Sequence, residues 1–153
     1  MISTLTIDQC SFASFDHDRI ATIRKLRPEY KVDGTHEVKT GCLFTEDVPN
    51  NFIEVAQAVG ASEVHIRYDT CTKDRIDAIH NAGMASMAWF RGPIGMKEDY
   101  ENRFFDVGNE DESMYQTVIN TGVMTLCMNR PDILSNMVGR STSTYADALE
   151  YLP

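Results

Sequence analysis

Long apolar runs, a surplus of basic residues and paired cysteines are all missing from this sequence, and each absence removes a class of function. No stretch reaches the roughly 18 consecutive apolar residues of a membrane-spanning helix. Lysine and arginine total 14 against 23 acidic residues, for a net charge of -9. That balance speaks against a nucleic-acid footprint, which needs clustered cations. It leaves room for a small phosphate site, which needs only one or two. The start, MISTLTIDQCSFASF, has neither the basic n-region nor the apolar core of a signal peptide. This reads as either an intracellular protein, with the cytoplasm favoured, or one whose leader has been removed, and the compartment is left open. Cys10, Cys42, Cys71 and Cys127 form no CxxC pair, so a zinc site is not expected. Three of them fall in apolar strand-like runs, where a free thiol behaves as a small buried hydrophobe. HExxH, GxSxG, a P-loop and GxGxxG are all absent. Tryptophan occurs once, at Trp89.

What the sequence does have is alternation. Short apolar runs read as strands at Gln9–Phe15, Glu37–Phe44, Ser62–Tyr68, Ala85–Phe90 and Val123–Met128. Amphipathic stretches between them read as helices at Asp16–Leu26, Pro49–Val59, Thr72–Asn81 and Ser113–Asn120, with a short helical piece at Ile133–Val138. Asp16 and Thr72 stand where helix caps belong, and Gly60, Gly83 and Gly122 where helices end. Strand and helix alternating through short connections indicate βα units and a parallel sheet. A doubly wound sheet and a TIM barrel both fit. A closed (β/α)8 barrel takes about 250 residues, so about five strands make either an open sheet or the later part of a barrel. The domain is read as 1–138, with 139–153 as a C-terminal tail.

In both architectures the chemistry belongs at the carboxyl ends of the strands. There the sequence places Phe15 and Asp16, Phe44 and Glu46, Arg67 and Asp69, Trp89 and Arg91, and Asn129 and Arg130. Aromatics with arginines suit a ligand with an apolar or sugar-like part and an anionic group. The alternative is that the aromatics cap the core while the arginines pair with acids. In the third strand, Glu63, His65 and Arg67 share one face. They either point into a barrel, where they need partners or a ligand, or face water on an edge strand. His65 is also a candidate acid or base. His80, on a helix beside Ile76, reads as a packed core histidine. The acidic stretch 97–112, holding Asp106, Asn109, Glu110, Asp111 and Glu112, reads as a solvated loop rather than a cation site.

Three segments, in order, resemble the glycerophosphodiester phosphodiesterase family. The first is Ser11-Phe12-Ala13-Ser14-Phe15-Asp16 with Ile20, Ile23, Arg24 and Pro28. The second is Asp77-Ala78-Ile79-His80-Asn81-Ala82-Gly83-Met84 leading to Ala88-Trp89. The third is Gly122-Val123-Met124-Thr125-Leu126-Cys127-Met128-Asn129-Arg130-Pro131-Asp132-Ile133-Leu134. Together they span roughly residues 9 to 137. The resemblance implies the C-terminal portion of a (β/α)8 TIM barrel. It also implies a divalent metal (calcium or magnesium) and hydrolysis of a glycerophosphodiester to an alcohol and glycerol 3-phosphate. The family's metal and histidine motifs belong to earlier strands, and no ligands for the metal are found here. The catalytic residues are therefore left unassigned, and the chain alone is expected to be inactive. Phe15 and Trp89 are the positions that would line the glycerol side. His65, Arg67 and Arg91 complete the expected substrate contacts. Gly92 stands where the family has an asparagine, and Met128 where it has a threonine. The partner is then a small phosphodiester, with no nucleic acid and no membrane span. Either a homo-oligomer or a separate N-terminal half would complete the site. A sphingomyelinase D/phospholipase D-like relative and a non-catalytic headgroup-binding half-barrel are the alternative readings.

Overall fold

A computed structural model describes residues 10–26, 38–90 and 110–139. The chain divides into two compact units, residues 1–89 with 118–127, and 90–117 with 128–153. The first holds a five-stranded sheet in the order β1 (Ser11–Ser14), β2 (Lys39–Phe44), β3 (Glu63–Arg67), β4 (Ala85–Trp89) and β5 (Thr125–Cys127). Every neighbouring pair is parallel. Between the strands lie α1 (His17–Leu26), α2 (Phe52–Ala58), α3 (Lys73–Asn81) and α4 (Glu112–Ile119). The chain division falls inside α4. A further helix, α5 (Pro131–Met137), starts on a proline and belongs to the second unit. Strands and helices stand where the alternation puts them, with ends shifted by up to three residues; α4 and α5 begin one and two residues earlier than expected. Gln9, Glu37 and the tail beyond 139 lie outside the described residues.

Local chemistry sets the helix ends. The Thr72 hydroxyl accepts the Arg75 N–H and caps α3. Gly60, Gly83 and Gly122 each take positive φ (71°, 74° and 84°) where a helix must turn back toward a strand. Asp16 does not act as a side-chain cap for α1. Its carboxylate takes the Arg19 guanidinium at 3.2 Å instead.

One face of the sheet meets the helices. Thr40, Cys42, Phe44, Val64, Ile66, Ser86 and Ala88 are buried there, with Ile20 of α1, Phe52 and Ala56 of α2 and Ile76 and Ile79 of α3. Burying each isoleucine contributes roughly 1.5–3 kcal/mol. Two histidines fasten helices to strands. His17 Nε2–H donates to the Leu43 carbonyl at 3.0 Å, and its ring meets Phe44 edge-on. His80 corrects the expectation of a core histidine. It is exposed, and its Nε2 reaches the buried Ser86 Oγ at 2.8 Å, which also accepts the Met124 N–H. The cysteines are free, but only Cys42 and Cys71 are buried, whereas Cys127 is exposed on the opposite face of its strand. Burial pushes the Cys42 thiol up to about 11.

The other face is concave, because the sheet curls into a half-barrel with α-helices on its outside. Three strand spacings separate β1 from β4, about 14 Å in a flat sheet. Yet Phe15, just past β1, packs against Trp89 of β4 with ring centroids 5.5 Å apart. Trp89 Nε1–H also crosses β3 to donate to the Phe44 carbonyl of β2 at 3.2 Å. A glycine permits the curl. The His65 ring lies directly over Gly41, and a Cβ there would sit 2.4 Å from His65 Nε2.

Replacing Gly41 by alanine should therefore destabilise the fold by about 1–3 kcal/mol, as overpacking does. Urea unfolding measures it. The G41A/H65A double variant should recover part of the loss, since the two side chains compete for one space. Strict additivity of the two changes would show that the ring does not rest on Gly41.

Candidate functional site

Parallel register sets which side chains share the concave face. Gly41 lies beside Glu63, Leu43 beside His65, His65 beside Met87, and Arg67 beside Trp89. β3 is the middle strand of five, so the edge-strand reading of its ionisable ladder is excluded. Glu63, His65 and Arg67 point into the half-barrel, and each finds partners there.

At mid-depth, His65 is 2% exposed and its Nε2 lies 2.8 Å from Glu63 Oε2. Ser11 of β1 donates to the same oxygen at 3.4 Å, across the intervening β2. The His65 hydrogen bond holds the Glu63 carboxyl below its ordinary value of 4.5, against the opposing effect of burial. This trio joins β1 to β3 and fills the space that curling creates.

At the carboxyl ends of the strands, Arg67 is clamped. Its Nε and one terminal nitrogen donate to the two Asp69 oxygens, each at 2.6 Å, and the other donates to Glu46 Oε2 at 2.7 Å. The bidentate bond to Asp69 raises the guanidinium pKa still further. One cation facing two carboxylates leaves the cluster at net charge -1. An incoming phosphate would have to displace a carboxylate to reach the fork.

Beside it stands the aromatic pair. Trp89 is 7% exposed, with its N–H spent on Phe44, so it forms a floor rather than an open stacking face. Phe15 is 51% exposed and offers the apolar surface. The structure thus brings Phe15 and Trp89 together. It places Arg67 at the same strand ends, and sets His65 deeper along β3. Arg91 lies outside the described residues. Among the described residues no group of three His, Cys, Asp or Glu side chains could hold a metal ion. Glu46 and Asp69 were visible in the sequence as strand-end residues. Their joint hold on Arg67 was not, because Glu46 comes from a different strand.

In the second unit, Glu110 departs from the solvated-loop reading, whereas Asp111 and Glu112 are exposed as that reading expects. Glu110 is 6% exposed and accepts from the Tyr115 hydroxyl and from both the backbone and the side chain of Asn129. Asp111 accepts the Met114 N–H at 2.9 Å and so caps α4. Residues 97–109 lie outside the described residues.

The depressed Glu63 carboxyl fixes the sign of a pH effect. A lowered folded-state pKa stabilises above the unfolded value and is lost as pH falls through the folded one. Urea midpoints should therefore drop between about pH 5 and pH 3. In E63Q this part of the acid limb should be flatter, and an unchanged slope would count against the pairing.

No protein-family model and no curated protein matches this sequence. Solved structures do match. One, assigned as a glycerophosphodiester phosphodiesterase from Galdieria sulphuraria, has a TM-score of 0.67 and 21% identity. It covers 88% of this chain and 45% of its own. Another, assigned as a glycerophosphoryl diester phosphodiesterase from Agrobacterium tumefaciens, has a TM-score of 0.60 and 17% identity, over 86% of this chain and 44% of its own. A third, with the same assignment and from Silicibacter pomeroyi, has a TM-score of 0.59 and 13% identity, over 82% and 36%. At these identities the likeness is one of fold. The chain shares its parallel half-barrel with the glycerophosphodiester phosphodiesterase structures and spans less than half the length of each.

Proposed function

We propose that this chain supplies the glycerol-holding wall of a phosphoric diester hydrolase site of the glycerophosphodiester phosphodiesterase type. Such a site would split a glycerophosphodiester with water into an alcohol and glycerol 3-phosphate. The observation that carries this reading is the Phe15–Trp89 pair, closed across the strand ends of a half-barrel whose fold those enzymes share. The exposed Phe15 ring suits the C–H surface of a glycerol backbone, while buried Trp89 keeps Phe15 upright through an edge-to-face contact.

The other expected contacts take narrower parts. Arg67, held by Asp69 and Glu46, orders the rim and is a poor phosphate fork while both carboxylates stay in place. His65 shapes the interior through Glu63 and Gly41. The fold family implies a divalent metal, but the described residues do not fit one. Metal-assisted hydrolysis is therefore not assigned to them. Neutralising the phosphate and protonating the leaving oxygen fall to groups beyond them.

Titration of the pure chain with sn-glycero-3-phosphocholine tests the reading, because Trp89, the sole tryptophan, reports on the wall. A saturable change in its emission is expected, with affinity reduced about three- to tenfold in F15A. No glycerol 3-phosphate should be released when calcium or magnesium is added. Emission that never responds would remove the aromatic pair from the site. Turnover by the chain alone would place catalysis within it.

A further inference from the structure

A second constellation lies in the unit formed by residues 90–117 and 128–153, and it does not depend on the aromatic wall. At its centre is the buried carboxylate of Glu110. Burying a carboxylate is unfavourable unless hydrogen bonds replace water. Here the Tyr115 hydroxyl, the Asn129 backbone N–H at 2.9 Å and the Asn129 side-chain amide do so.

The same bonds decide which half of the Asn129 amide is left over. One Nδ2 proton goes to Glu110, and the other goes to the Phe90 carbonyl at 3.3 Å. Turning the amide over would set Oδ1 against a carboxylate and a carbonyl, both acceptors, so the orientation is forced. Oδ1 makes no hydrogen bond among the described residues, and Asn129 is an exposed residue. It stands two residues past β5, and Phe90 one residue past β4.

We propose that Asn129 is a recognition residue whose Oδ1 accepts a hydrogen bond from a hydroxyl group of a polyol ligand, with Glu110 as the positioning residue that fixes the amide. An acceptor stripped of its donors selects hydroxyls over ether, ester and phosphate oxygens. A carboxylate bonded to the amide nitrogen polarises the amide and strengthens Oδ1 as an acceptor. The adjacent Arg130 is matched by Asp132 at 2.6 Å, so that pair adds no net charge and favours a neutral hydroxyl.

The test uses the isotope-labelled chain and two probes, glycerol 3-phosphate and methyl phosphate, which share an anion and differ in hydroxyls. Nuclear magnetic resonance should show the Asn129 side-chain amide shifting saturably with glycerol 3-phosphate and far less with methyl phosphate. N129A, read at the Arg130 backbone amide, should lose that preference with an unchanged circular dichroism spectrum. E110Q should weaken glycerol 3-phosphate binding about three- to tenfold, as loss of one oriented hydrogen bond does. If E110Q does not fold, N129A decides alone. No shift with either probe, equal shifts with both, or a retained preference in N129A would each overturn the proposal. None of these results depends on Phe15 or Trp89.

Discussion

The half-barrel depends on one close approach, the His65 ring lying flat over the bare backbone of Gly41. Any side chain at 41 would lift the ring and open the space between β1 and β3. With the glycine there, Ser11 and His65 converge on one Glu63 oxygen and link strands that are not neighbours in the sheet. The same curl carries the strand ends inward, which lets Trp89 reach Phe44 and Phe15. A small residue at mid-depth thus determines the geometry of the rim. Overpacking penalties and the desolvation of the Glu63–His65 pair act at this one place.

Electrostatics then decides what the rim can do. The chain carries many more acids than bases, and the described strand-end arginines are answered locally. Arg67 faces Asp69 and Glu46, and Arg130 faces Asp132. Where arginine and acid are two residues apart, the fork closes within its own turn. An arginine-bearing strand end is therefore not by itself an anion site. What Phe15 leaves open at the strand ends is apolar surface rather than charge.

Glu110 shows the reverse case. A carboxylate in an acidic stretch is expected in water, yet this one is buried and holds the turn after β5. Tyr115 carries its side of the arrangement. Burial and the Glu110 charge push the phenol well above its ordinary value, so it remains a donor. The Glu110 carboxylate finds all its donors within its own unit, which is the condition under which a buried carboxylate is tolerated.

Much of this was legible in the sequence because it depends on short-range pattern. Period-two runs and 3.6-residue spacing located strands and helices, and glycines marked the turns where φ must be positive. The ordered segments around Phe15, Trp89 and Asn129 pointed to the fold that the solved structures share. The shared face of Glu63, His65 and Arg67 followed from strand alternation alone. What the sequence could not decide was which groups satisfy one another across strands. His80 is exposed yet bonds the buried Ser86 hydroxyl of β4, a pairing that helical spacing does not register. The Arg67 clamp needs Glu46 from β2, and the burial of Glu110 needs Asn129 from beyond β5. Those pairings come from register and curl, which bring distant residues within hydrogen-bond distance. Composition and period fix only each element and its own faces.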